Sequence, residues 1–172
     1  MAQDERHNRR QRGWNDDGFT IVELVVVVGI FTILLSIATM EFNKYSTKSA
    51  IESQTKAMYA DLMTLRSDAL FRKQRRAVKI TSTSFSIYPS ELATGTPLQT
   101  RTLAYPVVLG DLPDPLVFNS RGMIEGLVSG EGICIEPVGN LGAVDSILIE
   151  TTRMHIGKRN GSDCDSEDIE AK

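Results

Sequence analysis

Residues 19–40 form an unbroken run of 22 positions in which apolar side chains stand on every side of any helix they make, and the run carries one charge, Glu23. A half-buried helix returns to polar residues every three or four positions, and this run does not. At about 1.5 Å per residue it makes a helix roughly 33 Å long, enough to cross the hydrocarbon of a bilayer. The pattern then becomes one-sided. Tyr45 to Arg76 contains neither Gly nor Pro, and Ile51, Met58, Leu62, Leu65 and Ala69 recur at spacings of 7, 4, 3 and 4. That spacing predicts an amphipathic helix continuing to Arg76, with a single stripe that needs a surface to lie on. Beyond Arg76 short runs with turn residues between them predict strands near 77–81, 84–88, 100–109, 116–119, 132–136, 146–151 and 154–157. Pro106 inside the third run predicts an edge strand or a bulge. The fold class is therefore α+β: a long N-terminal helix, with a transmembrane half and an amphipathic half, packed on a C-terminal antiparallel β domain.

Charge gives the first segment a direction. Arg6, Arg9, Arg10 and Arg12 precede the apolar run, and only Lys44 and Lys48 follow closely. The positive-inside rule places the N-terminus in the cytoplasm and the remainder across the membrane. A cleaved secretory signal has a shorter apolar stretch and a small-residue site after it; here Glu41-Phe42-Asn43-Lys44-Tyr45 follows. With 24% charged residues and a formal net charge of −3, the chain is not a polytopic membrane protein, and 41% hydrophobic residues exclude wholesale disorder. Along the second helix half, eight basic residues (Lys44, Lys48, Lys56, Arg66, Arg72, Lys73, Arg75, Arg76) outnumber four acidic ones (Glu41, Glu52, Asp61, Asp68). They sit mostly off the apolar stripe, as on a solvated face.

Little here does chemistry. His7 precedes the apolar run, leaving His155 as the one later histidine, and no Cys or Ser stands in a nucleophile setting. No glycine loop suits a phosphate and no spaced ligand set suits a metal. No enzyme, no cofactor and no metal are expected.

The junction before the apolar run is the most informative motif. Polar residues end at Gly18, and Phe19-Thr20-Ile21-Val22-Glu23-Leu24 begins. This resembles the type III signal of the type IV pilin superfamily, cut by a membrane peptidase on the cytoplasmic side between Gly and Phe. The resemblance implies a leader at residues 1–18, a mature chain starting at Phe19, and N-methylation of Phe19. It also implies a role for Glu23: pairing with the Phe19 amine of a neighbouring subunit and setting the axial register of a helical filament. The carboxylate needs some such account, since an acidic residue at the centre of a membrane helix costs about 2.5–3.5 kcal/mol on insertion scales. The alternative is a Glu23 that stays wet at the cytoplasmic interface.

Further along, Leu65-Arg66-Ser67-Asp68-Ala69-Leu70, then Arg72 through Val78-Lys79-Ile80, is similar to the helix end and first strand of the GspH/FimT-type minor pseudopilins. Phe118-Asn119-Ser120-Arg121-Gly122 resembles that family's Phe-x-x-x-Gly turn, and the hairpin from 146–151 to 154–156 occupies the place of its last strand pair. The chain departs from the pattern at Asp16-Asp17, where leaders carry Lys or Arg. It departs again at Met40, where many relatives have Pro, and at Thr152-Arg153 in place of a Gly-Arg turn. The resemblance implies a non-catalytic minor pseudopilin or minor pilin that helps initiate or cap a filament, in type II protein secretion or type IV pilus biogenesis. Its partners would be other pilins through the N-terminal helix, the prepilin peptidase and the inner-membrane assembly platform. It would sit in the inner membrane as a single-pass protein with its C-terminal domain in the periplasm, then in a pseudopilus or surface pilus.

Two other readings compete. Some relatives bind DNA through basic residues near the C-terminus, where this chain has Arg153, His155, Lys158 and Arg159. Asp163, Asp165, Glu167, Asp168 and Glu170 follow at once and repel phosphate, which points away from nucleic acid. The other reading is a singly anchored periplasmic binding module, which would need neither cleavage nor Glu23. The acidic stretch at 160–172 lacks the glycine and the closing Glu of a calcium loop and is expected to be disordered. Cys134 and Cys164 both lie in the exported part, where paired thiols oxidise. A bridge between them would tie the tail to a strand; the alternative is two free thiols, one buried between Ile133 and Ile135. The organisation expected is a leader at 1–18, a transmembrane half at 19–40, an amphipathic half at 41–76, a β domain at 77–159 and an acidic tail at 160–172.

Overall fold

The computed structural model describes residues 18–172. The expected leader, apart from Gly18, lies outside the described residues, as do Arg6, His7, Arg9, Arg10, Arg12, Asp16 and Asp17. The chain divides into two compact units, one ending at Met40 and the other Glu41–Lys172. One helix, α1 (Ile21–Arg72), supplies residues to both. The strands are β1 (Arg76–Ile80), β2 (Ser84–Tyr88), β3 (Gln99–Thr102), β4 (Val107–Leu109), β5 (Leu116–Phe118), β6 (Glu131–Ile135), β7 (Ser146–Ile149), β8 (Met154–Arg159) and β9 (Ile169–Ala171). The layout is α+β, a long N-terminal helix followed by antiparallel sheet.

Helix α1 ends earlier than its composition predicts. Lys73 adopts φ +54, and the amide of Gln74 donates to the carbonyl of Ala69 at 3.2 Å. That is a Schellman-type close with a non-glycine residue in the left-handed position. Without a Gly or Pro to announce it, the stop is not legible in the sequence. Its cause is tertiary: Arg76 is needed in β1, where its buried guanidinium donates to Asp68 at 2.7 Å and to the carbonyl of Pro89 at 2.8 Å.

The β domain is built of two sheets. The first has the order β3-β2-β1-β5 and the second β4-β6-β7-β8-β9. The run predicted as a single strand at 100–109 splits at residues 103–106, because two neighbours remove the backbone groups a ladder would need. Pro106 has no amide hydrogen to give. Gln54 on α1 takes both groups of Tyr105, accepting from its amide at 2.9 Å and donating to its carbonyl at 2.7 Å. The chain crosses there from one sheet to the other.

Both sheets and α1 share one core. Ile51, Met58, Leu62, Leu65 and Ala69 are buried with Val78, Phe85 and Phe118 from the first sheet and Ile133, Ile135, Ile147 and Ile149 from the second. Each such side chain contributes roughly 1.5–3 kcal/mol when fully buried, so the stripe supplies the main attachment of the helix. Polar contacts fix its register. Tyr59 donates to the carbonyl of Met154 at 3.3 Å, Arg101 pairs with Asp61 at 2.9 Å, and the amide of Ala143 donates to Glu52 at 2.9 Å. That amide bond, then Lys56 and Lys48, holds the Glu52 carboxyl below its ordinary pKa. Arg76, then Arg72, does the same for Asp68.

The tail departs most from expectation. Residues 160–172 are folded, and β9 pairs antiparallel with β8, Lys158 opposite Glu170. The tail covers the outer face of the second sheet, where Cys134, Leu148, Cys164 and Ile169 form a small core of their own. Glycines make the seat. A Cβ on Gly132 would run into Ile169 and stand 2.8 Å from both the carbonyl oxygen and the sulfur of Cys164; one on Gly157 would stand 2.8 Å from the carbonyl oxygen of Glu170. Five acidic residues suggested disorder because charge is visible in a sequence and a matching trough is not.

Two outcomes follow. Gly132→Ala should destabilise the detergent-solubilised chain by about 1–3 kcal/mol, the usual cost of overpacking, and make the tail more susceptible to protease; a variant with wild-type unfolding and cleavage would contradict the close seat. Glu52 and Asp68 have depressed pKa values when folded, so the unfolded chain binds their protons first as pH falls. Their contribution is full above the ordinary carboxylate range, near pH 4, and is lost progressively below it. In thermal melts across pH, Glu52→Gln with Asp68→Asn should be less stable than wild type at neutral pH and lose less on acidification.

Candidate filament-assembly site

The N-terminal unit concentrates the residues singled out by the sequence. Gly18, Phe19 and Thr20 precede the helix. Thr20 caps it: its hydroxyl accepts from the amide of Glu23 at 3.2 Å, and its carbonyl accepts the first helical bond from Leu24 at 3.1 Å. Thr20-Ile21-Val22-Glu23 has the spacing of a capping box, of which this is one half. Glu23 thus sits in the first turn, where the helix dipole favours a carboxylate. Among the described residues that carboxylate meets no cation.

Around it the surface is apolar on every side. Phe19 is 86% exposed, Ile21 82% and Leu35 63%, and even the least exposed large side chain, Val27, stands at 42%. Polar atoms are few and internally satisfied. The hydroxyls of Thr32, Ser36 and Thr39 donate back to the carbonyls of Val28, Thr32 and Ser36 at 2.8–2.9 Å. Such back-bonding lets a hydroxyl sit in hydrocarbon without an orphan donor. The segment requires a covering of lipid or of other apolar helices, and Glu23 is its one charged side chain, which such a covering would leave unmatched.

Residues 15–39 match the prokaryotic N-terminal methylation motif. This is the N-terminal signature of type IV pilin-like proteins. No curated protein and no solved structure matches the chain. The motif supports a pilin-like subunit anchored through its apolar helix, processed by a prepilin peptidase and assembling with other pilins, as members of that group generally do in structural, non-catalytic roles.

The remaining sequence candidates lie in the second unit, Glu41–Lys172. Cys134 of β6 and Cys164 of the tail form a disulfide with Cα atoms 5.9 Å apart. In the chain-entropy model, closing a loop of this length contributes roughly 3–4 kcal/mol, and here it fixes the tail on the sheet. The four basic residues weighed for DNA do not form one face. Lys158 turns inward to the buried Asp145 at 2.5 Å and to the carbonyl of Asn140 at 2.8 Å, and Arg159 is buried against Glu136 at 3.0 Å. Arg153 is exposed and His155 half-buried. The acidic residues weighed for calcium close their own turns instead. Asp165 accepts from the amides of Glu167 and Asp168, both at 3.0 Å, and Asp168 from that of Asp163 at 2.8 Å.

Sequence reasoning missed the Asp145 cluster and the glycine seat. Asp145 is fully buried and accepts from Lys158, Asn140, Ser146 and the amide of Arg159. A signal for the seat was present. Gly132 and Gly157 stand inside strand patterns, where a glycine marks close approach of another segment.

Proposed function

We propose that this chain is a non-catalytic minor subunit of a type IV-like filament, of the GspH/FimT-type minor pseudopilins or minor pilins. It helps to initiate or cap the filament in type II secretion or type IV pilus biogenesis. The observation that carries the reading is the methylation motif over an apolar helix whose single charge is Glu23. Cleavage after Gly18 creates an amine at Phe19, which is then N-methylated. That amine on one subunit and Glu23 on the next complete a charge pair. Residues 19–40 hold the subunit in the inner membrane with the N-terminus cytoplasmic. Residues 77–159, with the tail at 160–172, form the periplasmic body that distinguishes this subunit from its neighbours.

Processing is tested by intact mass of the membrane-extracted protein, which should have lost residues 1–18 and gained one methyl group. A chain retaining its leader beside an active prepilin peptidase would overturn the assignment. Assembly is tested with Glu23→Gln, which keeps size and makes the helix more apolar, so insertion and cleavage should persist. Breaking a buried pair costs about 3–5 kcal/mol, so the variant's share in sheared filaments should fall at least tenfold while it accumulates in the membrane. Wild-type incorporation would mean that Glu23 is a wet interfacial residue.

A further inference from the structure

We propose that the second unit carries a self-modification site: Lys158 of β8 and Asn140 of the loop at 137–142 join through a side-chain amide, with Asp145 shuttling protons and ammonia lost. The bond forms within one chain, whether or not that chain enters a filament. An amine, a carboxamide and a carboxylate converge here. Lys158 Nζ lies 2.5 Å from Oδ2 of Asp145 and 3.3 Å from Oδ1 of Asn140. The same Oδ2 accepts from Nδ2 of Asn140 at 2.9 Å. The nucleophile and the nitrogen that must leave therefore share one carboxylate oxygen. Oδ1 of Asn140 also accepts from the amide of Gly142 at 3.0 Å. That donor is aimed at the oxygen on which negative charge develops when a carboxamide carbon is attacked. Together these partners leave the carboxamide one orientation, nitrogen toward Asp145 and oxygen toward Gly142.

A surface ion pair would need none of this convergence. The side chain of Asp145 is 1% exposed and that of Lys158 17%, so bulk water is kept from the reacting atoms. Oδ1 of Asp145 is held by the Ser146 hydroxyl and the Arg159 amide, both at 2.8 Å, which leaves Oδ2 as the point of proton exchange. The step balances within the cluster. The Lys158 ammonium gives one proton to Asp145, and the free amine attacks Cγ of Asn140, forming the C–N bond while the Gly142 amide holds the oxyanion. Asp145 passes its proton to Nδ2 and takes a second one from Nζ. The Cγ–Nδ2 bond breaks and ammonia departs, leaving Asp145 protonated and no unpaired charge buried. Neither an oxidant nor a second substrate is needed. Fixing both partners in one contact supplies the proximity on which an unactivated amide depends. The product fastens the loop to β8 across 18 positions of chain, a second cross-link beside Cys134–Cys164 in the same unit.

Peptide mapping of the full chain, extracted from membranes, reduced and digested with trypsin, tests this. An amidated lysine is not cleaved, so residues 154–159 should stay in one piece and be joined to residues 122–153. The joined pair should weigh the sum of the two peptides less one ammonia, with fragment ions placing the link at Asn140 and Lys158. Cleavage after Lys158 and an unlinked 122–153 peptide would overturn the proposal, whatever the state of the N-terminus. So would an ammonia loss confined to the peptide that begins at Asn160, where Asn160–Gly161 forms a cyclic imide by the same loss. Lys158→Arg keeps a cation beside Asp145 but has no amine to acylate, and its 122–153 peptide should appear at full mass; an ammonia loss from that peptide in the variant would overturn the assignment of Lys158. In Asp145→Asn the linked fraction should fall roughly 100-fold or more, the usual contribution of a positioned acid–base group, and full linkage there would overturn the shuttle. The wild-type digest decides by itself whether the bond exists.

Discussion

Burial of one stripe of α1 under two sheets is the interaction on which the globular unit depends. Neither sheet closes a core alone. Val78, Phe85 and Phe118 from one and Ile133, Ile147 and Ile149 from the other meet on Ile51, Met58, Leu62, Leu65 and Ala69. Removing the helix would expose the inner face of both sheets at once. The stripe also fixes where the polar contacts fall, since Gln54, Tyr59, Asp61 and Asp68 are carried to their partners by the same helical turns. Gln54 shows the consequence most directly. Its amide occupies both backbone groups of Tyr105, so the strand that composition would extend is cut in two, and the chain changes sheet.

A second layer of organisation lies on the far face of the second sheet. Strands β6 and β7 are buried on both sides, inward by the helix and outward by the C-terminal tail. The tail is held by backbone pairing, by the Cys134–Cys164 bond, and by glycines that leave room for Ile169 and Cys164. Beneath its junction with β8, Asp145 gathers Lys158, Asn140, Ser146 and the amide of Arg159. A buried carboxylate without such partners would cost several kcal/mol; with them it joins the loop at 137–142, β7 and β8 into one body. The side chain of Lys158 is spent on this internal work and that of Arg159 on Glu136, which leaves only Arg153 and His155 of the four basic residues near the C-terminus facing outward.

The N-terminal unit follows the opposite rule. Among its described residues, 18–40, polar side chains turn back to the helix itself, and the apolar surface is open on all sides. Such a surface is stable only in a medium that does not hydrogen-bond, and the hydroxyls that occur in it are returned to the helix backbone. Glu23 alone breaks this consistency. Isolated departures from an otherwise consistent pattern are where function is expected, and the methylation motif covers that stretch of the chain.

What the sequence determined is whatever depends on local periodicity. The all-round apolar run, the spacing of the buried stripe, the β1–β2 hairpin and the β7–β8 hairpin are all written in side chains three, four or two residues apart. Gly18, Phe19 and Glu23 were legible for the same reason, since a contiguous motif needs no partner to be recognised. The tertiary structure decided what depends on residues far apart in the chain. Asp68 and Arg76 set the end of α1, Gln54 and Tyr105 the split between sheets, and Gly132, Gly157 and Ile169 the folding of an acidic tail. In each case the deciding contact is made by a side chain, or by the absence of one, whose partner lies eight to more than fifty positions away. Local pattern carries no record of such a meeting, because it exists only once the helix stripe has brought the two sheets together.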